Sequence, residues 1–246
     1  MKRKEFIKKA SSVLAAGPLA LMACQKIGDE VSPSANNNPI PPSTSGSNST
    51  NCVISDAEEV GPFPLYNKRD SSIQHIDITE GKTGIPLALA IQIKNVNANC
   101  TVLPDVQVVV WHCDKDGYYS GYNNSGFLGN QDNTTKTFCR GMGTTDSQGI
   151  VRFKTIYPGW YQGRATHIHA QIYVAGNLKL STQFAFPEEI NMWVHDSSLY
   201  KAHGQNPTKN TSDNVFRDSI LREIATLSTN SANDGYDLSY TINVAV

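Results

Sequence analysis

The sequence predicts an all-β domain, a β-sandwich with long loops and a short C-terminal helix. Three observations predict it: short alternating or unbroken apolar segments recur between residues 87 and 186, turn signatures separate them, and residues 52–246 suit one domain. The expected strands are 87–93, 106–111, 150–156, 167–174 and 178–186. Asp114-Lys-Asp-Gly117, Asp146-Ser-Gln-Gly149 and Ala175-Gly-Asn177 mark turns between them. Val215, Phe216, Ile220, Leu221 and Ile224 fall near helical spacing and predict a helix over 214–227. Residues 121–136 are polar and rich in Asn and Gly, and read as a long loop.

The 51 residues before this domain show none of these sequence signals. Residues 1–23 read as a secretory signal: a basic start with five Lys and Arg, then the apolar run 13–23, too short to span a bilayer. Leu21-Met-Ala-Cys24 resembles a bacterial lipoprotein cleavage box, which would make Cys24 an acylated N-terminus. Residues 24–51 are dominated by Ser, Asn, Pro, Gly and Thr and cannot bury enough apolar surface to fold, so they read as a tether. The expectation is an exported domain, lipid-anchored to a bacterial membrane at the outer membrane or cell surface. Charged residues are 17 % of the chain and the net charge is −1, which gives no footprint for nucleic acid.

Four cysteines remain beyond Cys24, and an exported domain favours disulfides. Three connectivities are open. Cys52 with Cys100 and Cys113 with Cys139 is the favoured set, because the second bridge would brace both ends of the 121–136 loop.

Chemistry concentrates in Tyr157-Pro-Gly-Trp-Tyr161-Gln-Gly-Arg164-Ala-Thr-His167-Ile-His169. On a strand beginning at His167, the period of two places His167, His169, Gln171 and Tyr173 on one face and Ile168, Ala170, Ile172 and Val174 on the other. Two imidazoles two residues apart can converge on one ion. Zinc would want a further His, Cys or carboxylate, and a non-haem Fe(II) site a carboxylate. This stretch offers tyrosine instead, a hard anionic donor when ionised, and tyrosinate on iron does occur. A second tyrosine is available in Trp111-His-Cys-Asp-Lys-Asp-Gly117-Tyr118-Tyr119. Of the other histidines, His75 and His203 sit in polar segments and read as solvated, His112 as a surface residue, and His195 lacks a nucleophile motif.

Taken with Gly61-Pro-Phe-Pro64, Gly84-Ile-Pro-Leu-Ala-Leu89 and Thr144-Thr-Asp-Ser-Gln-Gly149, these motifs resemble the intradiol ring-cleavage dioxygenases over roughly residues 56–220. The resemblance implies Fe(III) held by Tyr119, Tyr161, His167 and His169, with a catechol-type substrate and O2 as reactants. It implies that Arg164 contacts bound catecholate and that Gln183 lies near the site. Only five residues separate Tyr161 from His167, fewer than in the cytoplasmic members, and no helical dimerisation region precedes the domain, so secreted single-domain members are the nearer likeness. Two rival readings stand beside it. One is a binding module for aromatic or carbohydrate ligands using Trp160, Tyr161 and Trp193; the other is a zinc or copper site on the same His pair.

Overall fold

A computed structural model describes residues 52–65 and 70–246. The signal and tether expected over 1–51 lie outside the described residues. The rest folds as two stacked sheets around one apolar layer. The first sheet contains β1 (Pro86–Asn95), β2 (Thr101–Val102), β7 (Ile150–Ile156), β10 (Thr226–Asn230) and β11 (Gly235–Val244). The second has the order β6 (Arg140–Thr144), β3 (Gln107–Trp111), β8 (His167–Val174), β9 (Asn177–Ala185). All pairs in the second sheet are antiparallel, whereas β1 and β11 run parallel in the first.

The core follows from alternation. Leu87, Leu89, Ile91 and Ile93 of β1 face Val108 and Val110 of β3 and Ile168, Ala170 and Ile172 of β8, all buried in one cluster. The same period turns Val109, Trp111, His167, His169, Gln171, Tyr173 and Gln183 to the outer face of the second sheet. That face is not solvated: segment 52–65 and the turns after β3 and β7 cover it, and Trp111, Tyr119, Met142 and Tyr173 form a second cluster there.

All five expected strands form, with bounds shifted by at most one residue except at β1, where the strand extends to Asn95. The expected helix is much shortened. Only α2 (Ile220–Glu223) is helical, and Thr226–Asn230 pairs with β11 as β10. Thr226 and Thr229 are β-branched and the free edge of β11 supplies partners, so tertiary pairing overrides helical spacing. Another helix, α1 (Glu188–Asp196), begins after Pro187 with Glu188 and Glu189 in its first turn, a start signal suited to the helix dipole. The polar loop holds a hairpin, β4 (Asn123–Gly126) and β5 (Gly129–Asp132). The Tyr118 hydroxyl secures its turn, accepting from Leu128 N–H at 2.7 Å and donating to the Gly129 carbonyl at 2.8 Å.

Cys52 and Cys100 form the expected disulfide. The second expected bridge is absent: Cys113 and Cys139 are free and buried. The hairpin is held by Tyr118 instead, so its ends need no covalent brace.

Candidate metal centre

Four sheet residues lie in one rung across β6, β3, β8 and β9: Arg140 opposite Trp111, Trp111 opposite His169, and His169 opposite Gln183. Directly opposed residues share a face, so the rung sets a cation, an indole, an imidazole and an amide side by side. Trp111 stacks flat on the His169 ring at 4.7 Å and 2° and fixes its plane. His167 is oriented by its own chain, its Nδ1–H donating to the Ala165 carbonyl at 2.6 Å. That bond leaves the Nε2 lone pair free to point into the site.

The tyrosines arrive on two turns packed backbone against backbone. Asp114 shapes the first, its Oδ1 accepting from the N–H groups of Asp116 and Tyr118 and its Oδ2 from Lys82 Nζ. Gly117 adopts φ +89°, and a Cβ there would sit 2.3 Å from the Trp160 carbonyl oxygen. Gly159, whose Cβ would lie 2.3 Å from the Lys115 carbonyl oxygen, answers it from the second turn. Only glycine permits this approach, which brings Tyr119 and Tyr161 to the same point.

The four predicted donors do converge. From His167 Nε2 the distances are 3.1 Å to His169 Nε2, 3.3 Å to the Tyr119 hydroxyl and 3.5 Å to the Tyr161 hydroxyl. One lone pair cannot accept from three neighbours, so hydrogen bonds to His167 Nε2 cannot account for the whole convergence. A shared cation accounts for it, since bonds of about 2 Å to one ion set adjacent donors about 3 Å apart. The donor set therefore fits a metal, and a hard one. Among the described residues no group of three His, Cys, Asp or Glu is placed to hold an ion, so the donors added to the His pair are phenolic.

Electrostatics agree with that assignment. Burial, then the nearby Arg164 charge, holds His167 well below the usual histidine range, and burial does the same for His169. Both are neutral, the ligating form. Burial raises the Tyr119 phenol well above its ordinary value and pushes Tyr161 up to about 12, with Arg164 opposing the rise at Tyr161. Without a cation both phenols keep their protons at neutral pH.

Arg164 is anchored on the rim. Its Nε donates to both Asp213 oxygens at 2.9 and 3.2 Å, and its Nη2 to Gln183 Oε1 at 2.7 Å. Burial works against its charge, but Tyr161 and Asp213 more than offset that. Gln183 passes the restraint on, donating to the Glu59 carbonyl at 2.7 Å. Asp213 also accepts from the N–H groups of Ala165 and Val215 and is fully buried, yet it stands outside every sequence motif considered. Gly61 closes the cluster: a Cβ there would lie 3.1 Å from His169 Cε1.

Two of the other histidines depart from expectation. His112 is fully buried rather than superficial, bonded to the Cys113 carbonyl and to Thr155 Oγ1, and burial lowers it to about 4. His203 is not freely solvated but lies between Trp160 at 3.9 Å and Phe127 at 4.5 Å. Trp193 is 57 % exposed on α1.

The fold is thus a β-sandwich that brings two buried histidines, a buried tyrosine and a half-buried one to a single point. The family model described as Dioxygenase matches residues 63–242. An intradiol ring-cleavage dioxygenase from Tetranychus urticae is 26 % identical with a TM-score of 0.69, covering 79 % of this chain and 95 % of that one. A chlorocatechol 1,2-dioxygenase from Pseudomonas putida is 30 % identical over 132 residues, 46 % of each chain. This chain thus spans about half the length of the curated relatives it matches. The dioxygenase domain of a carbohydrate-binding fusion from Streptomyces sp. SirexAA-E, at 21 % identity and TM-score 0.56 over 79 % of this chain and 99 % of that one, shares the fold. The chain belongs to the intradiol ring-cleavage dioxygenase family.

Proposed function

We propose that the protein cleaves a catechol-type aromatic between its two hydroxyl-bearing carbons, with Fe(III) held by Tyr119, Tyr161, His167 and His169. The observation that carries this reading is the convergence of two phenols and an imidazole on the single lone pair of His167 Nε2. When bound, ferric iron would chelate both catechol oxygens and prime the ring for O2. The chain's own groups supply the rest. Tyr161 is half-buried on a turn and its phenol is pushed up to about 12, so it would be the metal-holding oxygen that gives way and takes a catechol proton. Arg164, fixed by Asp213 and Gln183, stabilises negative charge on the substrate as the ring becomes electron-rich. Phe63 and Phe216 flank the donors with apolar walls. Both oxygen atoms of O2 end in the product, a cis,cis-muconate-type diacid.

The test is oxygen uptake by iron-loaded protein across a panel of catechols, with products identified. One O2 consumed per diacid formed supports the reading; no uptake with any catechol overturns it. The working location is a membrane surface, reached through lipid on Cys24. The basic start of the chain and the Cys52–Cys100 disulfide support export, because disulfides persist in oxidising compartments.

A further inference from the structure

Among the described residues, Arg140 is a buried cation, 2 % exposed, with no carboxylate partner. A buried guanidinium without a counter-charge is costly, and such groups persist where something else needs them. Among the described residues its hydrogen bonds go to neutral acceptors. Nε donates to the Ser120 hydroxyl at 2.9 Å and the Ser120 carbonyl at 3.1 Å; Nη2 donates to the Ser120 carbonyl at 2.9 Å and the Phe63 carbonyl at 2.6 Å. These acceptors are telling. Ser120 follows Tyr119 in the chain, and Phe63 stacks on the Tyr119 ring at 4.5 Å. The guanidinium carbon itself lies 5.9 Å from the centre of that ring. Tyr119 is thus gripped through its chain neighbour, through the ring stacked on it, and by a charge beside it.

We infer that Arg140 is a positioning residue for Tyr119: it fixes the tyrosine between Ser120 and Phe63, and its unpaired charge stabilises electron density on the phenolic ring once a metal is bound. The inference rests on the ferric reading above. It assigns a role to the rung position next to Trp111, at the opposite end of the rung from Gln183, to which Arg164 donates. Packing alone would be served by a neutral donor; the absence of a carboxylate partner is what points to the phenolate as the missing counter-charge.

The experiment uses the full iron-loaded chain and two substitutions that separate charge from geometry. Arg140→Gln keeps amide donors without charge, and Arg140→Lys keeps charge without the fork. A cation near a phenolate lowers the energy of its electrons, so removing it should move the resting visible band to longer wavelength. The shift expected is roughly 10–30 nm, from a unit charge about 6 Å away at an intermediate dielectric. Arg140→Gln should also lose iron to a chelator several-fold faster, while Arg140→Lys keeps the wild-type band. Bands at one position in all three proteins, with only thermal stability lowered, would overturn the inference and leave Arg140 as a structural tack. Should Arg140→Gln not fold, Ser120→Asp sets a carboxylate against the retained guanidinium and should produce a shift of the same sign; an unmoved band there would overturn it equally. A wild type that takes up iron but shows no visible band would overturn the ferric tyrosinate reading itself, a failure distinguishable from the first two.

Discussion

The two tyrosines of the site are held in opposite ways. Tyr119 is fully buried, covered by Phe63, flanked by the Arg140 charge and followed by a serine whose carbonyl and hydroxyl are both engaged. Tyr161 is half-buried on a turn outside any strand, followed by exposed Gln162 and Gly163, and its main electrostatic neighbour is Arg164 on the rim. Phe63 meets it only edge-on, at 6.2 Å. The two side chains are chemically identical, so the difference lies in what surrounds them. It teaches that one tyrosine is packed in place and the other sits on an open turn; on the ferric reading proposed above, these are a fixed half and an exchangeable half of the site, with Tyr161 the ligand a substrate would displace.

The largest test strips the part common to both halves. His167→Ala or His169→Ala removes a donor from the rigid strand and should abolish stable metal retention, read as metal per chain after dialysis. Retention at wild-type level in both variants would break the comparison, because the tyrosines would then have no shared centre. On the exchangeable half, Arg164→Ala should leave metal content near normal and lower turnover by about 10²–10³, the usual loss for a preorganised charge-stabilising group. Unchanged turnover in fully loaded protein would remove Arg164 from the chemistry. On the fixed half, Gly61→Val forces a side chain against His169 at a residue with φ +69°, where β-branched residues are strained. Faster metal loss is expected, with turnover per bound metal little changed; unaltered retention would show that segment 52–65 does not brace the centre.

The smallest effect concerns how that segment is secured. Burial, with Glu58 beside it, raises the Glu223 carboxyl from its ordinary 4.5 to about 8, although a Ser219 hydrogen bond opposes the rise. The folded state therefore holds a proton that the unfolded chain releases above about 4.5. This contribution to stability is complete below that pH, declines as pH rises, and is lost once pH passes about 8. Thermal melting across pH 5–9 should show a decline that Glu223→Gln flattens. An identical pH dependence in the two proteins would exclude Glu223 as its source.

Much of this was legible from residues, for identifiable physical reasons. β8 matches its expected span because period-two alternation places four polar residues on one face and a continuous apolar row on the other. The four donors were legible for a different reason, since the motif spacing resembles a known family. β11 carries a clear signal in Leu238, Tyr240, Ile242 and Val244, all buried and two apart, although no expected strand covered it. Asp213 and Arg140 were not legible. Each acts across long sequence separations, 49 residues from Asp213 to Arg164 and 77 from Arg140 to Phe63, and nothing local marks such partners. The cysteines misled for a related reason. Export and parity favour pairing, but Cys113 and Cys139 sit in a packed interior that leaves them as thiols.

The most direct measurement is the visible spectrum of protein prepared with iron available, in wild type and in Tyr119→Phe, Tyr161→Phe and the double variant. Tyrosinate on ferric iron gives a charge-transfer band, which zinc, with its filled d shell, cannot produce. The account predicts a coloured, iron-containing wild type, a weaker band in each single variant and none in the double variant. Anaerobic catechol should shift the wild-type band to longer wavelength, and admitted O2 should restore it. A colourless, iron-free wild type would contradict the ferric centre, and a band surviving both substitutions would leave the iron but refute these tyrosines as its ligands.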